Sequence, residues 1–312
     1  MKNIKYLIIT LVVCIVQNGY GQQETTITNY WSHMNLINPA YVGSDNMVNF
    51  KSTLRQQWIG IPESPVSQMF SYSQPLGKQV GIGMSIINDK VDIEKSTYIA
   101  IDFSYKLRIS EKSLLYFGLK AGGNFYSANG TLKYSIGESG LTSFDPFLVN
   151  INNTDPNLGI GFLLKQPKWY FSISVPRLLS TERYELEAIS TSATDRPHLY
   201  ISTGYDIKLS SPQWAITPSV MLRSVKNSPV VLDTNVLVAY NDKMDLGLTY
   251  RNNQTYAVTF AIDFRKKFRF GYSYETSTKP MLGSQWTSNE LFLSYSIPYK
   301  SKKSIDDPSI NY

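Results

Sequence analysis

Thr255-Tyr256-Ala257-Val258-Thr259-Phe260-Ala261-Ile262-Asp263-Phe264 decides the fold, because every second residue in it is large and apolar. Tyr256, Val258, Phe260, Ile262 and Phe264 share one face, and Thr255, Ala257, Thr259, Ala261 and Asp263 share the other. Side chains of an extended chain alternate sides, so this period of two describes a strand with one oily face and one polar face. The next segment repeats it, with Phe268, Phe270, Tyr272 and Tyr274 set against Arg269, Gly271, Ser273 and Glu275. Upstream, Thr97, Ile99, Ile101, Phe103, Tyr105, Leu107 and Ile109 oppose Tyr98, Ala100, Asp102, Ser104, Lys106 and Arg108. A tilted strand needs about ten residues to cross the hydrocarbon of a bilayer, and these segments have that length.

Followed along the chain, the alternation predicts about fourteen strands. They fall near 46–59, 65–76, 79–88, 97–109, 113–126, 156–165, 168–178, 197–209, 212–223, 229–240, 243–252, 254–265, 267–276 and 288–298. In the first two, Gln56 and Gln68 interrupt the oily face. The connections after even-numbered strands are short: Gly77-Lys78, Ser110-Glu111-Lys112, Gln166-Pro167, Ser210-Ser211, Asn241-Asp242 and Lys266. Longer ones follow strands 3, 5, 7, 9 and 13, chiefly 127–155, 179–196 and 277–287, while Asn252-Asn253 after strand 11 is short. Sorting of loop length by parity is expected of an outer-membrane barrel, whose periplasmic turns are tight and whose outer loops are long. The predicted fold is therefore all-β, a transmembrane antiparallel up-and-down barrel. Trp169, Trp214 and Phe268 each follow a short turn and point outward, as an aromatic girdle at the inner interface requires.

Composition narrows the function. The 312 residues carry 30 basic and 24 acidic side chains, a formal net charge of +6 that is scattered along the chain and forms no stripe for nucleic acid. Tyr is abundant, at 22 against 14 Phe and 5 Trp, which suits the two interfaces of a membrane barrel. Residues 1–21 read as a signal peptide: Lys2 and Lys5, the apolar run Leu7 to Val16, then Gly19-Tyr20-Gly21 before a cut at Gln22. Cys14 is the sole cysteine and lies inside that signal, so the mature chain offers neither disulfides nor a thiolate nucleophile. Residues 22–45 read as a lead-in or plug, 46–298 as the barrel and 299–312 as a basic, polar tail in the periplasm. Both termini of the mature chain are expected on that side.

On the polar face stand Lys51, Arg55, Asp102, Lys106, Asp206, Arg223, Asp233, Asp245, Arg251, Asp263, Arg269 and Glu275. So many ionisable groups need water or one another, which calls for a wet lumen or a polar plug. Arg55 is expected to fix a polar network near the outer rim, close to Trp58. Gly81 and Gly83 (with Ser85) face inward; they offer either a smooth wall for a plug or partner segment, or simple strand curvature. Pro39 holds Asn38 extended, and Gly43 frees a turn just before the first strand.

The order and spacing of several short motifs go further. Asn38-Pro39-Ala40-Tyr41-Val42-Gly43-Ser44 is followed by Leu54-Arg55-Gln56-Gln57-Trp58-Ile59-Gly60, Pro65 and Pro75-Leu76. Then come Val80 to Ile86, Tyr105-Lys106-Leu107 and Phe117-Gly118-Leu119-Lys120-Ala121-Gly122. This set resembles the PorP/SprF family of Bacteroidetes outer-membrane proteins over essentially the whole mature chain. The resemblance implies a barrel associated with the type IX secretion system. It also implies a large secreted surface protein as partner, engaged through its C-terminal domain, and a link in some members to gliding motility. The basic tail from Lys300 to Tyr312 departs from that pattern.

No chemistry competes with this. Gly81-Ile82-Gly83 lacks the third glycine and helix of a dinucleotide site, and His198 has no serine motif beside it. No enzyme, cofactor or metal is expected. Partner contacts are expected in the 127–155 connection and in 179–196; Tyr134, Phe144, Phe147 and Leu148 make the first more apolar than a free loop requires, which equally fits a loop folded into the lumen or packed on itself. A passive channel for small solutes is the competing expectation, since a lumen of mixed charge permits it.

Overall fold

A computed structural model of the chain describes residues 26–128, 151–186, 191–278 and 286–299. The strands are β1 (Met47–Gln56), β2 (Val66–Leu76), β3 (Val80–Val91), β4 (Glu94–Arg108), β5 (Leu114–Ala128) and β6 (Ile151–Lys165). They continue with β7 (Trp169–Val175), β8 (Thr181–Leu186), β9 (Thr191–Asp195), β10 (His198–Tyr205), β11 (Ile207–Lys208) and β12 (Trp214–Val225). Last come β13 (Val231–Tyr240), β14 (Met244–Arg251), β15 (Thr255–Phe264), β16 (Phe268–Ser277) and β17 (Trp286–Pro298). Neighbours in the wall pair antiparallel, and β17 returns to β1 from Met47↔Pro298 to Gln56↔Asn289, which closes the ring. Strands β8 and β9 form a separate hairpin, and β11 continues β10 along β12, so the closed barrel has fourteen staves.

The faces sort as the period-two reading requires. Ile101 is 69% exposed on the outside while its neighbour Asp102 is fully buried inside. The outer row of β15, from Tyr256 to Phe264, and that of β16, from Phe268 to Tyr274, are exposed large hydrophobics throughout. Such a band is stable only against lipid. Near the short turns the band ends in rings: Phe50 lies 5.0 Å from Tyr72, Phe268 4.7 Å from Tyr295, and Trp214 4.6 Å from Tyr240. Trp169 is half-buried there, its indole N–H donating to Gln166 Oε1 at 3.0 Å.

One end of the barrel carries the short turns 77–79, 109–113, 166–168, 209–213, 241–243 and 265–267. The opposite end carries 57–65, 129–150, 176–197, 226–230, 252–254 and 278–285, together with a tight β3–β4 turn at 92–93. Several boundaries differ from the sequence expectation, among them the end of β1 at Gln56 instead of 59. The β3–β4 hairpin runs on to Val91↔Glu94 where a longer connection was expected, and β6 begins at Ile151, inside the expected 127–155 connection. Apart from Val91 and Ile151 these extensions are polar on both faces, so the alternation that marks lipid contact fades although pairing continues. Strand β7 stops at Val175, short of the expected 178, because Pro176 has no N–H to donate to the ladder. Tyr134, Phe144, Phe147 and Leu148, the signal segment 1–21 and the tail from Lys300 onward lie outside the described residues.

Candidate functional site: the lumen and its plug

The segment from Thr26 to Ser44 lies inside the barrel, with nearly every residue buried. Its short turns, Tyr30–Ser32, Met34–Ile37 and Pro39–Tyr41, satisfy only part of its backbone. The wall supplies the rest, since a buried N–H or C=O without a partner is costly. Lys51 Nζ donates to Ser32 O at 2.5 Å, Lys120 Nζ to Asn35 O at 3.3 Å, and Ser174 Oγ to Ile37 O at 2.9 Å. Ser104 Oγ reaches Val42 O at 2.5 Å and Lys165 Nζ reaches Ser44 O at 3.1 Å.

The motif Asn38-Pro39-Ala40-Tyr41-Val42-Gly43 is the foot of this plug. Asn38 Oδ1 accepts from Ala40 N at 2.8 Å, and its Nδ2 donates to Phe162 O at 3.0 Å and Ser172 Oγ at 2.8 Å. Tyr41 meets Tyr170 edge-on at 6.1 Å. The wall behind the foot is made of glycines. A Cβ on Gly81 would strike the Val42 carbonyl, one on Gly118 the Ala40 nitrogen, and one on Gly161 the Asn38 side chain. A Cβ on Gly83 would strike the Tyr72 carbonyl of the neighbouring strand and crowd the Val42 side chain. Gly43 adopts a φ of +69°, the left-handed turn that brings the chain out of the lumen toward β1.

Higher in the plug, Tyr30, Met34 and Ile37 pack on Tyr200 and Met221, and the Tyr30 hydroxyl meets Ser219 Oγ at 2.9 Å. His33 is fully buried; its Nε2 shares a hydrogen bond with Thr53 Oγ1 at 2.8 Å.

Toward the long-connection end the plug meets a buried ring of charge. Arg55 pairs with Glu275 at 2.7 Å and Glu290 at 3.3 Å, while Arg251 pairs with Asp233 at 2.5 Å and Glu275 at 3.4 Å. Glu290 accepts from the backbone N–H of Thr28 and Asn29 at 2.8 and 2.9 Å and from Asn29 Nδ2 at 2.9 Å. Thr28 Oγ1 donates to Glu275 Oε2 at 2.8 Å and accepts from Arg55 at 2.5 Å. Two further clusters pair charges on the inner face, Lys120 with Asp102 at 2.6 Å and Arg269 with Asp245 and Asp263.

Arg55 thus sits in a network that also binds the plug, whereas Trp58 belongs to the 57–65 connection at the rim. Glu290, Lys165 and Gly161 went unremarked in the sequence, and Gly118 and Lys120 entered only as members of the family motif Phe117 to Gly122. Their inward register was available from the alternation, but nothing in it marks which inward residue touches the plug. His198 opens β10 and stacks on Tyr200 at 6.2 Å. Among the described residues no cluster of three His, Cys, Asp or Glu side chains is placed to hold a metal.

Residues 19–295 match the family model described as type IX secretion system membrane protein PorP/SprF. The chain belongs to this family. Among solved structures, this PorP/SprF barrel is similar to the CymD monoaromatic hydrocarbon channel, at 12% identity over 92% of this chain and 97% of that one, with a TM-score of 0.53. The P. putida toluene transporter TodX matches at 9% identity over 86% and 94% of the two chains, with a TM-score of 0.49. The Acinetobacter baumannii outer membrane protein Omp33 matches at 8% identity over 80% and 97%, with a TM-score of 0.46. At these identities the likeness to CymD concerns the barrel fold alone. No curated protein matches the sequence. Family and fold together make the chain an outer-membrane β-barrel of a secretion system.

Proposed function

We propose that this barrel holds or helps export a particular large secreted protein, engaging its C-terminal domain at the long-connection end, which faces the cell exterior. Residues 1–21 direct export and are removed, and the tail from Lys300 stays in the periplasm with the secretion machinery. Surface anchoring of this kind also fits a role in gliding motility. The observation that carries the reading is the plug. A lumen occupied from Thr26 to Ser44 and bonded to its occupant at both ends fits a scaffold better than an open pore. The 129–150 connection, with Tyr134, Phe144 and Phe147, and the loop bearing β8 and β9 supply the contact surface.

Mass spectrometry of a pull-down in mild detergent tests this. One very large secreted protein should be enriched with the barrel. Recovery of general envelope proteins alone would contradict the reading. The competing reading, a diffusion channel, draws on the mixed charge of the wall and requires the plug to leave.

A further inference from the structure

Two short turns of the same geometry carry different chemistry. In the β13–β14 hairpin Lys243 N donates to Tyr240 O at 3.0 Å, and the residues between, Asn241 and Asp242, have φ of 54° and 51°. In the β15–β16 hairpin Lys267 N donates to Phe264 O at 3.2 Å, and Arg265 and Lys266 have φ of 54° and 55°. A turn whose two central residues are both left-handed favours Asn, Asp or Gly, which tolerate that region. Asn241-Asp242 meets the demand. Arg265-Lys266 does not, and two long side chains held there carry a backbone strain that Asn and Gly would remove. Strain kept where the fold does not require it points to a use for the side chains.

The two turns are neighbours, since Asp263 N donates to Lys243 O at 2.7 Å. Lys243, Arg265, Lys266 and Lys267 thus gather on one sector of the rim, all exposed, with Asp242 the acid among them and Asp263 paired to Arg269. The six short turns together hold seven basic residues and two acidic ones, whereas the long connections hold six basic and eight acidic. The positive excess therefore belongs to this end. It also adjoins the lipid-facing band. The Trp214–Tyr240 ring pair flanks the sector on one side and the Phe268–Tyr295 pair on the other. The Arg265 guanidinium lies 5.2 Å over the Phe264 ring, and Phe264 is 55% exposed on the outer face. That cation stands on the lipid side of the wall, at the level where headgroups begin.

We propose that the sector of Lys243, Arg265, Lys266 and Lys267 binds the headgroup of an anionic phospholipid, of the phosphatidylglycerol or cardiolipin class. The phosphate accepts from the guanidinium and ammonium groups, while the flanking rings lie along the acyl chains. A zwitterionic headgroup brings an ammonium of its own, which the sector repels. Each cation close to a charged bilayer surface strengthens the preference, and a lipid seated there fixes the depth of the barrel at that interface. The inference takes one point from the reading above: the short turns face the periplasm, where the leaflet is phospholipid.

Electron paramagnetic resonance of spin-labelled lipids tests the proposal, with the full-length barrel in phosphatidylcholine vesicles. The unaltered protein should hold labelled phosphatidylglycerol more strongly than labelled phosphatidylcholine. Arg265→Asn with Lys266→Gly gives the turn the residues its geometry favours, and it should lose most of that preference with no fall in unfolding midpoint. Lys78→Gln with Lys112→Gln removes as much charge elsewhere on the rim and should leave the preference in place. Equal binding of both labels by the unaltered barrel would overturn the proposal and leave the sector to an acidic protein. Equal weakening by the two double variants would also overturn it, because the rim as a whole would then attract the lipid. Should the first variant fail to insert, Arg265→Gln with Lys266→Gln decides between the same outcomes. None of these readouts involves a secreted partner or the direction the barrel faces, so this proposal and the reading above fail separately.

Discussion

Glu290 shows how much of the site rests on single residues. It accepts two backbone N–H groups and one side-chain amide from the plug while neutralising Arg55. A buried ion pair adds little by itself, but removal of one partner leaves a stranded charge that costs about 3–5 kcal/mol. Glu290→Ala should lower the unfolding free energy of the detergent-solubilised barrel by that order. The glycine wall offers a contrast. Gly118→Ala drives a methyl into the Ala40 backbone, whereas at Gly123 the nearest atom is Asp155 O at 3.4 Å. Gly118→Ala is expected to expose the plug to protease and Gly123→Ala to leave it protected.

Strands were the most legible level of the sequence, and for one reason: lipid imposes its demand on every second residue. Ile101 and Phe260 had to be oily and Asp102 could not be, so register and face followed without a partner structure. Where lipid contact ends, legibility ends as well. The outer parts of β3, β4 and β6 are polar on both sides, and the hairpin β8–β9 inside the 176–197 connection carries no alternation to announce it. The plug was legible in outline, through Pro39, Gly43 and the inward Gly81 and Gly83. The identity of its bonds was not, because Lys120, Glu290 and Gly161 lie far from it in sequence and meet it only once the ring closes. The same demand yields a prediction for the wall. Ile101→Arg, near the middle of the lipid face of β4, should destabilise the barrel by about 2–4 kcal/mol, measured by reversible unfolding in lipid vesicles.

The whole molecule combines a closed fourteen-stave wall with a strap of its own chain drawn through the lumen. The wall hydrogen-bonds to that strap at Ser32, Asn35, Ile37, Val42 and Ser44 through their carbonyls and at Thr28 and Asn29 through their amides. Contacts so spread along the segment act as a unit, and loosening one end leaves the other attached. Conductance across a planar lipid bilayer addresses the central claim, an obstructed lumen, most directly. The purified full-length barrel should insert without steady openings, and a variant lacking residues 26–44 should give large, stable ones. Steady conductance by the full chain, equal to that of the shortened variant, would contradict the account.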